Sequence, residues 1–306
     1  MEKLYVFGHK KPDTDSITSA IVAANLQNAL GNDAVAYKLG NLNKETAYAL
    51  KTFEIEEPET LETIPEGANI VMVDHNEFAQ SVDGIDKANI KMVVDHHKIK
   101  FETVEPLYYI AEPAGCTASI LYKLYKQNDV EITKPIAGLM LSAIVSDTLL
   151  FKSPTCTPQD KEIAEKLAVI AGVDLYEYGK EMLKAGTDIS EFTPYQVINI
   201  DAKEFNDKNA KFEISQVNAV DLDSIFSRQS ELESAIQKEI EDKNLDFYMF
   251  AATDILNANS KIIALGNKAN TVEKAFGINL DNNTAMLENV VSRKKQMLPN
   301  ILNNLD

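Results

Sequence analysis

Every histidine in this chain lies just beyond a short apolar run and beside aspartates, and that placement constrains the fold more than any other feature. The runs are Leu4–Phe7, Ile70–Val73 and Ile90–Val94, rich in β-branched residues and bounded by breakers, with a weaker one at Ala34–Tyr37. Between the first two, Ser16 to Leu30 repeats apolar residues at helical spacing (Ile17, Ala20, Ile21, Ala24) and stops at Gly31. Strand, helix, strand in that rhythm predicts a parallel sheet with covering helices. In such a sheet ligands bind at the carboxyl ends of the strands. Three motifs would therefore converge on one edge: Gly8-His9-Lys10-Lys11-Pro12-Asp13-Thr14-Asp15-Ser16, Val73-Asp74-His75-Asn76-Glu77 and Val94-Asp95-His96-His97-Lys98.

A fourth acid, Asp147, ends the apolar run Ile136–Val145, and an unpartnered carboxylate there would be costly. Imidazole mixed with carboxylate suits manganese, iron, cobalt or zinc, whereas an all-oxygen set suits magnesium or calcium. Six such ligands exceed what one octahedral ion uses while keeping a water position. Two ions about 3.5–4 Å apart with bridging carboxylates use them better. Each motif alone also reads as a turn or a helix cap, since Pro, Asp and Ser favour both. All three together, holding all four histidines, favour the metal.

Composition sets the frame. At 306 residues, with 45% hydrophobic and 25% charged, the chain can bury two cores, which excludes a disordered or disulfide-scaffold protein. A net charge of −17 repels phosphate backbones and anionic membranes, so neither nucleic acid nor membrane is expected as a partner. Cys116 and Cys156 have no metal-type spacing and read as small buried residues. The amino terminus reads as a first strand rather than a signal peptide. No apolar run approaches the ~20 residues of a membrane span, so a cytoplasmic protein is expected.

From Thr117 the pattern is mostly helical, with helices expected at Ala118–Gln127, Pro135–Val145, Pro158–Ile170 and Leu175–Leu183. The small, polar stretch around residues 187–194 is the expected linker between domains 1–186 and 195–306. Beyond it, strands are expected at Val197–Phe205, Lys211–Val217, Phe247–Thr253 and Lys261–Leu265, with a charged helix at Glu231–Asn244. That is a second, smaller α/β domain. Within it Val290-Val291-Ser292-Arg293-Lys294-Lys295-Gln296 gathers three cations at an expected helix start. Such a cluster suits a bound phosphate, or else is a solvated basic patch. The chain carries no nucleotide-binding glycine loop, H-E-x-x-H zinc motif or G-x-S-x-G elbow.

Gly-His-x-x-Pro-Asp-Thr-Asp-Ser, Asp-His-Asn-Glu and Asp-His-His closely resemble the DHH phosphoesterase superfamily. Ser292-Arg293-Lys294-Lys295 looks like the manganese-dependent, family II inorganic pyrophosphatases. The second-domain Gly-Gly and histidine of the RNA- and dinucleotide-degrading members are missing. The resemblance implies an α/β protein of two domains, a parallel-sheet domain plus a mixed-sheet domain, with the active site in the cleft between them. It implies one manganese held by His9, Asp13, Asp74 and Asp147, and a second by Asp15, Asp74, His96 and Asp147. His97, Lys203, Arg293 and Lys294 would bind the phosphates, with a general-acid role for His97 and supporting roles for His75, Gln80 and Asp95. The implied activity is hydrolysis of pyrophosphate to two phosphates by a hydroxide shared between the metals, in a cytoplasmic homodimer. Cobalt would substitute for manganese, and magnesium would enter with the substrate. The alternatives are a phosphohydrolase of short polyphosphates or nucleotides, and a silent phosphate- or metal-binding regulator.

Overall fold

The structure is a computed structural model in which residues 2–207 and 210–305 are described. The chain forms two compact units, Met1–Gly186 and Thr187–Asp306.

The first unit runs β1 (Lys3–Phe7), α1 (Thr14–Ala29), β2 (Asp33–Lys38), α2 (Lys44–Thr52), β3 (Glu59–Thr60), β4 (Asn69–Val73), β5 (Asn89–Asp95), β6 (Tyr108–Ala111), α3 (Thr117–Gln127), α4 (Lys134–Thr148), α5 (Pro158–Ala171) and α6 (Leu175–Gly186). Its six strands are all parallel, in the order β3-β2-β1-β4-β5-β6. Strand order reverses between β1 and β4, which opens a crevice beyond their carboxyl ends. Side chains alternate across the sheet. Phe7, Ile70, Met72 and Val93 pack with loop residues Ile64, Val82 and Ile85 on one face. Helix α4 is apolar on all sides because it is enclosed: Ile136–Val145 is buried throughout, and the helix packs against α1 and α5. Among the described residues no helix is long and apolar enough to cross a membrane.

The second unit contains α7 (Pro194–Asn199), β7 (Ala202–Asp207), β8 (Ala210–Ala219), α8 (Leu222–Phe226), α9 (Gln229–Lys243), β9 (Phe247–Asp254), β10 (Asn259–Leu265), α10 (Asn270–Phe276), β11 (Thr284–Leu287) and α11 (Leu298–Asn303). The sheet order is β11-β10-β9-β8-β7, with only β8 and β9 parallel. Strand β9 is buried along its whole length and serves two cores by simple alternation. Tyr248, Phe250 and Ala252 face one core, and Phe247, Met249 and Ala251 face the other.

Two expectations are corrected here. Residues Pro194–Asn199 form α7, so the strand expected at Val197–Phe205 starts only at Ala202. Thr193 accepts from the Gln196 backbone N–H while the Gln196 side chain accepts from Thr193, and Pro194 fits the first helical position. That local chemistry overrides the β-branched residues that follow. The cations Arg293-Lys294-Lys295 open a five-residue π-helical turn, Arg293–Met297, rather than a regular helix, and Ser292 caps it.

Candidate metal centre

Tight packing at the start of β1 and α1 sets the first motif. A Cβ on Gly8 would stand 2.1 Å from the Ser16 hydroxyl, so only glycine lets α1 lie this close to the strand end. His9 follows directly, with its Nδ1 2.8 Å from the Lys10 carbonyl oxygen, which leaves Nε2 turned to the carboxylates. That Nε2 is 3.4 Å from Asp13 Oδ2 and 3.4 Å from Asp74 Oδ2. Asp13 also caps α1, accepting from the Ser16 N–H at 2.9 Å. Asp15, in the first turn of α1, is fully buried.

Beyond β4, Asp74 takes a left-handed backbone conformation (φ 60), and its N–H donates to the Val94 carbonyl at 2.9 Å. Beyond β5, His96 Nδ1 lies 3.0 Å from the Ala114 carbonyl oxygen. Its Nε2 is 3.4 Å from Asp74 Oδ1 and 3.6 Å from Asp147 Oδ2, the latter in the last turn of α4. His97 is half exposed (53%), and its Nδ1 lies 2.9 Å from Asp95 Oδ1. Asp95 in turn accepts from Asn76 Nδ2 at 2.6 Å.

Ligand atoms within 4.8 Å of one another form three overlapping groups: His9, Asp13 and Asp74; Asp15, Asp74, His96 and Asp147; and Asp74, His96 and His97. All six residues expected as metal ligands thus meet at the strand ends, with Asp74 common to every group. Asp147 joins the second group and not the first. The buried Nε2 of His96 has no hydrogen-bond partner. An orphaned imidazole nitrogen beside two carboxylates is what a divalent cation satisfies, and the donor set suits manganese.

Protonation follows from the crowding. Burial works against charge on His9, but Asp13 and Asp74 outweigh it and lift its pKa to about 11. His96 is lifted to about 10, with Asp74 and Asp15 outweighing its burial. Asp74 is buried too, yet His9 and His96 hold its carboxyl below the usual range. Burial and then the neighbouring carboxylates push Asp15 and Asp147 well up.

His75 is buried, with Nδ1 2.9 Å from the Val73 carbonyl oxygen, and burial holds its pKa down. Gln80 is exposed, and its carbonyl accepts from the Lys10 N–H at 2.7 Å. Lys203, Arg293 and Lys294 belong to the second unit. There the Arg293 guanidinium donates to Asp201 Oδ1 at 2.8 Å, and the Arg293 backbone N–H donates to Gln216 Oε1 at 3.1 Å. Lys203 pairs across the ladder with Ile214, whose carbonyl also faces Arg293.

Sequence reading missed the residues that brace this cluster. Glu45 Oε1 accepts from Thr14 Oγ1 at 2.8 Å and from Ser146 Oγ, and so grips the neighbours of Asp13, Asp15 and Asp147. Thr117 Oγ1 donates to Asp74 Oδ1 at 3.0 Å. Glu45, Thr117 and Asp201 carry no motif, and Asp160 stands only in the Thr157–Asp160 capping box of α5, so only tertiary packing reveals their reach to the site.

A parallel sheet with covering helices and this acid–imidazole cluster at its switch point, followed by a mixed-sheet unit, defines a DHH–DHHA2 protein. Residues 3–144 match the family model for the DHH family, N-terminal domain, and residues 180–304 match that for the DHHA2 domain. The manganese-dependent inorganic pyrophosphatase of Bacillus subtilis (strain 168) is 55% identical over 301 residues, covering 98% of this chain and 97% of that protein. A crystal structure described as a Methanococcus jannaschii family II inorganic pyrophosphatase shares 39% identity, with a TM-score of 0.62 over 98% of this chain and 99% of that one. A Bacteroides fragilis exopolyphosphatase-related protein, 14% identical with a TM-score of 0.52 over 99% of this chain and 92% of that one, shares the fold alone. The chain belongs to the family of manganese-dependent inorganic pyrophosphatases.

Proposed function

We propose that this protein is a manganese-dependent inorganic diphosphatase, which hydrolyses pyrophosphate to two phosphates. The observation that carries it is the complete six-residue acid–imidazole cluster at the sheet's switch point, in a chain 55% identical to a manganese-dependent inorganic pyrophosphatase over nearly its full length. In this reading one manganese is held by His9, Asp13, Asp74 and Asp147, and a second by Asp15, Asp74, His96 and Asp147. The second set coincides with one of the geometric groups, which supports it. Bound manganese supplies water of lowered pKa as nucleophile at neutral pH and charge to neutralise phosphate oxygens.

The chain's own residues do the rest. His97, half exposed beside the cluster, is assigned to a phosphate oxygen, with Asp95 orienting its ring through Nδ1. It is also assigned to protonate the leaving phosphate. Lys203, Arg293 and Lys294 are assigned to the phosphate charge that grows on the leaving side, the usual electrostatic strategy in phosphoryl transfer. Asp201 keeps the Arg293 guanidinium in one orientation. The reading extends to magnesium entering with the substrate, cobalt replacing manganese, and a cytoplasmic homodimer.

Phosphate release from pyrophosphate tests it, using chelator-stripped protein in magnesium buffer with and without manganese. Tripolyphosphate and a dinucleotide run alongside. Strong manganese-dependent release selective for pyrophosphate is expected. Release from tripolyphosphate or the dinucleotide alone would move the substrate to a sister branch, and no release with manganese bound would favour a silent regulator. Asp74→Asn should abolish turnover and metal binding together. Near-wild-type turnover in that variant would refute the bridging assignment.

A further inference from the structure

One short segment, Ala114–Ser119, touches three of the four members of the second metal group. The Ala114 carbonyl oxygen lies 3.0 Å from His96 Nδ1. The Thr117 N–H donates to Asp15 Oδ2 at 2.6 Å, the Ala118 N–H to Asp15 Oδ1 at 3.3 Å, and the Thr117 hydroxyl to Asp74 Oδ1 at 3.0 Å. These N–H groups open α3, whose cap position is Cys116 and whose cap side chain accepts from none of them. The first turn of α3 thus satisfies its free donors on Asp15 instead of on a cap of its own.

What fixes that segment comes from elsewhere in the chain. Asp160, fully buried in the first turn of α5, accepts from the Gly115 N–H at 2.9 Å and from the Ser119 hydroxyl at 2.6 Å. It also accepts from the Thr157 N–H and the Thr157 hydroxyl, each at 2.7 Å. All four partners donate, so a carboxylate fits and an amide does not. A Cβ on Gly115 would stand 2.7 Å from Asp160 Oδ2, so the contact is as close as backbone allows.

We propose that Asp160 is a positioning residue for the Asp15–Asp74–His96–Asp147 metal group, acting through the segment Ala114–Ser119. The proposal rests on the metal reading above and goes beyond it. The group formed by His9, Asp13 and Asp74 receives only the Thr117 hydroxyl from this segment, at Asp74, and Asp160 makes no hydrogen bond to it. Loss of Asp160 should therefore act on one ion more than the other. Outer partners of metal ligands typically control about 10–100-fold in affinity.

The test is manganese binding to the full chain, followed by the electron-spin resonance of free manganese in a titration. Wild type is expected to take up two ions. Asp160→Asn is expected to weaken one of them by about 10–100-fold and leave the other nearly unchanged. Ser119→Ala, a helix-compatible change that removes one donor to Asp160, should weaken the same ion by about 3-fold or more and keeps the test alive if Asp160→Asn does not fold. Tyr178→Phe removes a buried hydroxyl 2.6 Å from Ser142 Oγ, away from this segment, and serves as the control for general loosening. Equal affinities in Asp160→Asn and wild type would overturn the proposal. So would equal weakening of both ions, or the same loss in Tyr178→Phe. Fewer than two ions on wild type would overturn the two-metal reading itself, a result visible before any variant is compared.

Discussion

His9 and His96 hold their protons through neutral pH when no cation lies among the carboxylates, because Asp13, Asp74 and Asp15 draw the proton on more strongly than burial drives it off. Asp15 and Asp147 are pushed up as well, first by burial and then by neighbouring carboxylates, Asp74 for Asp15 and Asp15 for Asp147. The protons on His9 and His96 must leave Nε2 for an ion to bind there. Lower pH therefore opposes manganese, and apparent affinity should climb from about pH 6 to about pH 9. Calorimetry of manganese binding in buffers of different ionisation enthalpy should show more than one proton released per chain near pH 7. A release near zero would mean that the histidines were already neutral. Gly8 carries a second prediction at this scale. A methyl there would collide with the Ser16 hydroxyl and backbone, so Gly8→Ala should cost about 1–3 kcal/mol in urea unfolding, or more if α1 cannot shift. The histidines of the site, with Asp13, Asp15 and Asp74, were legible in the sequence because their motifs follow strands, and Asp147 because it ends an apolar run that folds as α4. Asp160 and Glu45 were not, since they lie far along the chain from the residues they hold, 45 residues in the case of Asp160 and Gly115.

At the scale of elements, legibility followed periodicity. The strands Leu4–Phe7, Ile70–Val73 and Ile90–Val94, and α1, α3, α4 and α5, fell where apolar spacing put them, to within a few residues. The exceptions share a cause, which is local chemistry outweighing or replacing pattern. Helix α7 exists because Thr193, Pro194 and Gln196 build a reciprocal cap ahead of a β-branched run. Thr193→Ala should accordingly destabilise the second unit by about 1 kcal/mol, read as a lower unfolding midpoint. An unchanged midpoint would show that packing of Val197 and Ile198 alone holds the helix. Strand β3 has only two residues, and β6 only four, none of them fully buried, so neither has room for a pattern. Helix α4 ends in three successive left-handed residues, Leu149, Leu150 and Phe151, a conformation no propensity scale anticipates. That turn stops the helix right after Asp147 and Thr148, and so fixes where the last ligand is presented.

For the whole molecule, the six residues of the acid–imidazole cluster all belong to the first unit, as does His97, whereas the lysines and arginine assigned to phosphate all belong to the second. Manganese should therefore raise the melting of the first unit by mass action, by about 2.7 kcal/mol for one site at a hundredfold excess over its dissociation constant. Scanning calorimetry should show that transition moving with metal while the second unit's responds less. A single transition shifting as one would show that the units unfold together. The same partition bears on biosynthesis. A chain made from its amino end exposes position 147, the last ligand, well before positions 203, 293 and 294 exist. At ordinary elongation rates the second unit follows on the order of ten seconds behind the first. During that interval the nascent chain carries its full set of clustered carboxylates and none of the lysines or arginine that later answer substrate charge. Within the cluster those carboxylates face the His9 and His96 imidazoles, and a free metal ion is the further counter-charge the site can take. Cofactor loading thus has its own window, set by residue order along the polypeptide, before Lys203, Arg293 and Lys294 have been synthesised.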